Sequence, residues 1–157
     1  MISPELLRRY PFFGNLSDAQ LKSIAMIAEE VSWEKGVTVV EECEPADYFF
    51  LLLEGDVDLY YRSEDKLNPK TRKDFLVGEI NAGEIFAISG LIEPYIYTAT
   101  ARAAKISTVV RIDAIVLREQ MGKKCEMGYT LMRKIAKAAM ERLEYTRVQL
   151  AAAWADE

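Results

Sequence analysis

The sequence predicts an α+β fold that is mainly β: a jelly-roll-like barrel with N-terminal helices, a short helix set into its last part and a long C-terminal helix. Three observations carry this. Residues 1–30 hold helix-start signals, 31–112 break into short β-branched and aromatic runs between turn residues, and 113–154 return to helical periodicity. Many short strands in a compact stretch point to a sandwich or barrel. The 157 residues are enough for one core without cross-links. The expected organisation is a single domain over 1–157 with no DNA-binding domain.

Taken in order, Ser3-Pro4-Glu5 reads as an N-cap, a proline at the first helical position and an acid in the first turn. Ser17 and Gln20 form an S-x-x-Q capping box, with Leu16 and Leu21 placed as a hydrophobic staple. Leu21, Ile24, Ala25 and Ala28 then make one apolar stripe, so this helix is predicted to run to about residue 30. Strands are predicted at 31–33, 37–41, 48–53, 56–61, 73–80, 84–86, 97–103 and 106–112. Gly36, Glu44-Pro45, Glu54-Gly55 and Ala82-Gly83 mark turns, and the charged stretch 62–74 reads as a solvated hairpin loop. Asp113 is placed to cap a helix from Ala114, with Gly122 and Gly128 as sites for a break or kink. Further on, Tyr129, Ala136, Leu143 and Leu150 recur every seven residues, with Met132 or Arg133, Met140, Arg147 and Trp154 between them. This imperfect heptad predicts a homodimer seam formed by Tyr129, Met132, Ala136, Met140, Leu143, Arg147 and Leu150. The alternative is a helix that packs back along its own barrel.

Composition narrows the function. A net charge of −5 argues against general nucleic-acid binding, which needs a basic surface. No apolar run approaches the roughly 20 residues that cross a bilayer. The opening MISPELLRRY has no signal-peptide core, so a cytoplasmic protein without membrane contact is expected. Cys43 and Cys125 lie far apart and are expected to be reduced, with structural or incidental roles. Histidine is absent, which removes serine–histidine and cysteine–histidine catalysis and a histidine-ligated haem. The carboxylates of Glu41, Glu42, Glu44, Asp47 and Glu54 fall at turn-like positions and read as solvated surface. The expectation is a non-enzyme with no cofactor and no metal.

The order of elements and five stretches together resemble the cyclic nucleotide-binding domain. That is the sensor fold of catabolite-activator (Crp/Fnr-type) transcription regulators and of protein kinase A regulatory subunits. YPFFGNLSDAQLKSIA resembles the family's opening. EKGVTVVEECEPADYFFLLLEGDVDLYY places Gly36, Pro45, Ala46, Asp47 and Gly55 in matching positions, with Cys43 where glycine is common. INAGEIFAISGLI puts Gly83 and Phe86 in register, and Ala99-Thr100 and Arg102-Ala103 match the end of the phosphate-binding cassette, here 83–103.

The resemblance implies a Gly-Glu pair whose carboxylate holds the ribose 2′-hydroxyl, and an arginine paired with the cyclic phosphate. Anchored on Phe86, the first pair falls on Ala87 and Ile88 and the arginine on Tyr97. Aligning Gly83-Glu84 instead lengthens the cassette by four residues and spoils the gapless fit to Ala103. Removing a hydrogen bond to a charged group costs roughly 1.5–3 kcal/mol, and stranding a buried charge roughly 2–5 kcal/mol, so losing both anchors weakens such binding by several powers of ten. Arg102 is close in sequence, but the family commonly has a basic residue there with another role. The remaining candidates are Ile85, Phe86, Ala87, Ile88, Ser89, Leu91, Tyr95, Tyr97 and Thr98. They either line an apolar pocket for a small neutral or aromatic molecule or fill the barrel outright.

The function expected is a regulatory ligand-sensing module, a homodimer that signals from cassette to C-terminal helix without high affinity for cAMP or cGMP. The alternatives are a cyclic-nucleotide receptor with unusual contacts and a ligand-free dimeric scaffold. A further one is the sensor half of a transcription regulator lacking its helix-turn-helix, which does not bind DNA by itself.

Overall fold

In the computed structural model the described residues are 1–65 and 68–155. Among them the strands are β1 (Ala28–Trp33), β2 (Thr38–Val40), β3 (Tyr48–Glu54), β4 (Val57–Asp65), β5 (Asn68–Ile80), β6 (Ile85–Phe86), β7 (Thr100–Ala103) and β8 (Ser107–Asp113). They form two four-stranded antiparallel sheets, ordered β1-β8-β3-β6 and β2-β7-β4-β5. The helices are α1 (Pro4–Arg8), α2 (Asp18–Ala25), α3 (Ala114–Lys123) and α4 (Cys125–Ala155).

The run Phe49-Phe50-Leu51-Leu52 in β3 explains why the sheets close on one another. A strand buried on both faces has no polar alternation, and all four residues are buried. Phe49 and Leu51 join Val110 and Ile112 of β8 against the helices, where Leu7, Phe13, Leu21, Ile24, Met127 and Leu131 pack. Phe50, Leu52 and Val109 turn the other way, into the space between the sheets. Burying one such side chain contributes about 1.5–3 kcal/mol, so the two cores share β3 and β8 as their common wall.

The predicted caps form. Ser3 and Ser17 accept from the Glu5 and Gln20 amides, the reciprocal bond from the Ser17 amide to Gln20 closes the capping box, and Asp113 accepts from Val116. Several boundaries differ from the sequence expectation, among them the strand expected from 97, which starts only at Thr100. The helix expected to reach residue 30 stops at Ala25, because 28–33 pair with β8 in unbroken register from Ala28–Ile112 to Trp33–Ser107. That pairing satisfies the backbone and lets Val31 and Trp33 pack inward, outweighing a helical stripe that rested on Ala28. Much of the 62–74 stretch is strand, with β4 and β5 paired at Arg62–Asp74 and Ser63–Lys73; the centre of the expected loop, Lys66 and Leu67, lies outside the described residues. The last helix does break, at Lys124 between the two glycines expected to break or kink it, and Gly128 packs where an added Cβ would lie 2.7 Å from the Met121 carbonyl oxygen.

The face of α4 buried against the protein ends early. Met127, Gly128, Leu131 and Ile135 are its buried residues. From Lys134 onward polar clasps hold the helix: Lys134 Nζ donates to the Pro11 carbonyl, Arg142 Nη2 to the Ile85 carbonyl, and Gln149 Nε2 to the Leu76 carbonyl at 3.1 Å. Burial lowers the pKa of the Arg142 guanidinium, opposed by the charges of Glu84 and Glu141. Among the described residues no helix is long and apolar enough to cross a membrane.

Candidate functional site

The cassette follows the β5–β6 corner. The short helix expected within it is a single 3-10 turn, Ile88–Leu91. Ala87, just before the turn, has φ 60° and ψ 42°, a left-handed conformation that glycine adopts without cost and alanine does not. Gly90 lets the turn lie flat on its neighbours, since an added Cβ would sit 3.2 Å from the Tyr48 carbonyl oxygen and 3.3 Å from Ala114 Cβ.

The closing arm pairs with the 43–46 loop. The amides of Cys43 and Ala46 donate to the carbonyls of Tyr97 and Tyr95, both at 2.8 Å, and the Tyr97 amide donates to Glu44 at 2.9 Å. This turns the Tyr97 side chain inward, where its hydroxyl donates to the Tyr48 carbonyl at 3.0 Å and accepts from the Tyr48 amide at 3.1 Å. Burial pushes the Tyr97 phenol pKa up, only partly offset by the hydrogen bond to Tyr48. The inward position of Tyr97 therefore holds a neutral hydroxyl already engaged by protein.

An arginine does reach the cassette, from a place the sequence did not point to. Arg118, one turn into α3, donates from Nη1 to the carbonyls of Gly90 at 2.8 Å and Ala46 at 3.3 Å. Its guanidinium lies over the Tyr95 ring, 3.9 Å from the centroid. Spacing alone held no signal for it, because the contact depends on how α3 lies against the turn. Arg102 faces elsewhere, bonded to Thr38, 3.8 Å from Asp74 and stacked over Tyr60.

The residues expected to surround one pocket are divided. Ile85, Ile88 and Leu91 pack with the helix-side core, whereas Phe86, Ala87 and Tyr97 belong to the space between the sheets. Ser89 and Tyr95 are half-buried and Thr98 is exposed. Phe86 stacks on Phe50 at 4.9 Å and 9°, and Trp33 meets Phe50 edge-on at 5.5 Å, so aromatic rings occupy the barrel interior. On α4, Tyr129, Met132, Ala136, Met140, Leu143, Arg147 and Leu150 are all exposed, on the side away from Leu131 and Ile135. Among the described residues no group of His, Cys, Asp or Glu is placed to hold a metal ion.

The description of the cyclic nucleotide-binding domain family matches residues 30–124, from within β1 to the end of α3. The chain belongs to this family. A protein classed as cyclic nucleotide-binding, from Geobacter metallireducens GS-15, has a crystal structure that superposes with a TM-score of 0.79 at 43% identity, covering 91% of this chain and 99% of that one. The CRP-like cAMP-activated global transcriptional regulator of Mycobacterium tuberculosis is 23% identical over 147 residues, 94% of this chain and 61% of the regulator. The cAMP-dependent protein kinase regulatory subunit of Mycosarcoma maydis is 27% identical over 111 residues, 68% of this chain and 21% of the subunit. The chain thus spans about three-fifths of one relative and a fifth of the other. The fold and the homology place this chain among cyclic nucleotide-binding domains.

Proposed function

We propose that this chain is a regulatory module whose cassette is closed by its own side chains and is not a high-affinity receptor for cAMP or cGMP. Its output runs through α3 and α4 in a homodimer. One observation carries the reading: Tyr97 and Arg118 complete the hydrogen bonding of the cassette from within. In the resemblance pattern, a glutamate and an arginine face the ligand there. Here those positions hold Ile88 and Tyr97, and the nearby guanidinium is spent on the Gly90 and Ala46 carbonyls. The stacked rings of Phe50 and Phe86 favour a filled barrel over an apolar pocket for a neutral or aromatic molecule.

The coupling follows the contacts. Gly90 lies on Ala114, Arg118 clasps the turn from one helical turn further, and α4 follows at Cys125. A shift of the cassette therefore moves α3 directly, biasing α4 between two packings. The exposed stripe from Tyr129 to Leu150 supplies a seam for a second copy.

Titration calorimetry with cAMP and cGMP tests the first part. The parent is expected to bind neither below about 100 μM, a level consistent with losing both anchors. Low-micromolar affinity that disappears on changing Ile88, Ser89 or Tyr97 would establish a receptor with unusual contacts. The gain-of-function variant I88E/Y97R restores the two missing groups and is expected to bind cAMP more tightly than the parent. Light scattering tests the dimer: L143E/L150E buries like charges across the seam and is expected to be monomeric, and a parent that is itself monomeric refutes the seam.

A further inference from the structure

Where α4 leaves the protein after Ile135, a cleft of about 630 Å³ opens between the helix, the Pro11–Asn15 turn and the β5–β6 corner. Its walls include the apolar groups of Phe12, Val77, Ile80, Ile85 and Ala138. The charges are not evenly spread along it. Toward the C-terminal part of α4, Arg142 lies in the field of Glu84 and Glu141, and Glu79 lines the β5 wall. Toward the N-terminal part stand Lys134 and Lys137 beside Asn15. These three also line an adjoining hollow of about 520 Å³, whose other lining residues are Thr130 and Arg133.

That end therefore gathers three cations and no carboxylate in a chain of net charge −5. Among the described residues, neither Lys134 nor Lys137 has a carboxylate within ion-pair distance. The geometry points to a ligand site for an amphipathic organic anion: its carboxylate, sulfonate or phosphate head meets Lys134 and Lys137, and its apolar body lies on Phe12, Ile80 and Ala138. From Lys134 to Arg142 the helix rises about 12 Å, which sets the length of the body. Cavities of this size with an apolar floor and a few convergent polar groups are typical small-molecule sites. The site is separate from the closed Tyr95–Tyr97 arm of the cassette. An occupant bridges α4 to the barrel and so adjusts the helix without reaching the Tyr95–Tyr97 arm; that consequence rests on α4 being the output element, whereas binding does not.

The probe is 8-anilinonaphthalene-1-sulfonate, an aromatic sulfonate whose fluorescence rises on burial, titrated into the full chain. Saturable binding is expected, displaced by decanoate below its micellar concentration but not by decyltrimethylammonium at equal concentration. K134Q/K137Q is expected to weaken the probe about tenfold or more, as for lost hydrogen bonds to a charged group. A138F, which fills the floor and keeps both amines, is expected to weaken it as well. L143E/L150E, on the opposite side of α4, is expected to leave it unchanged. Unchanged affinity in K134Q/K137Q, loss of binding in L143E/L150E, equal displacement by the cation, or association only with phosphatidylglycerol vesicles each overturns the proposal. The dimer reading fails separately, by light scattering.

Discussion

Replacing Arg118 by methionine tests whether the cassette is held shut by protein. The change keeps the apolar stem of the side chain and deletes the guanidinium. Two charge-assisted bonds disappear, to Gly90 at 2.8 Å and Ala46 at 3.3 Å, together with the stacking on Tyr95 at 3.9 Å. Bonds to charged groups contribute about 1.5–3 kcal/mol each, and the half-exposed setting and the longer second bond place this pair near the low end. Cation–π stacking adds about 0.5–1 kcal/mol, and water re-solvates part of what the guanidinium leaves. The net loss is about 2–4 kcal/mol, a fall in melting temperature of roughly 5–12 °C for a domain of this size. Hydrogen exchange then shows where the loss falls. The amides of Gly90, Ile92 and Ala46, bonded to Ala87, Ser89 and Tyr95, should exchange about 30- to 1000-fold faster, whereas amides in the β3–β8 ladder change less. R118K retains the charge without the planar fork and should fall between. If R118M melts within about 1 °C of the parent and its cassette amides keep their rates, the cassette is not closed by Arg118.

Two further outcomes follow from the same site. A87G removes left-handed strain from a residue at φ 60° and should raise stability by about 1 kcal/mol, read as a higher urea midpoint; an unchanged or lower midpoint refutes the strain argument. Burial raises the pKa of Tyr97 in the folded protein above its ordinary 10.0, so the neutral phenol is the form that folding favours. The stability tied to that shift is fully present below pH 10.0 and is lost as pH rises through the higher folded value. Y97F lacks the titration, so its deficit relative to the parent should narrow as pH rises from about 8 to 11 in urea melts. A constant deficit shows that Tyr97 does not titrate differently in the two states.

Much of the fold was readable from local chemistry. The caps at Ser3, Ser17 and Asp113 each use a side chain within three residues of its partner, and all three form. What was hidden depends on long-range packing. Nothing near residue 118 says that its side chain crosses to Gly90 and Ala46, 28 and 72 residues away in sequence. The division of the cassette side chains between two cores follows from which face of β3 each one meets, and that is decided by sheet closure. The end of α2 was misjudged for a similar reason: Ala28 fits a helical stripe or a strand, and only its pairing with Ile112 decides.

The way α4 is held turns it into a lever. Its last buried residue is Ile135, and from Lys134 onward three side chains hook onto carbonyls of Pro11, Ile85 and Leu76. The Gln149 hook contributes about 0.5–1.5 kcal/mol and the charged Lys134 and Arg142 hooks about 1.5–3 kcal/mol each, so each can be given up singly while the root stays packed. From Ile135 to Trp154 the arm is about 28 Å long at 1.5 Å per residue, and a tilt of about 10° where it leaves the packed root carries its tip about 5 Å. On the proposed coupling, a sub-ångström adjustment where Gly90 lies on Ala114 would be read out at the far end as a displacement of about one helical turn.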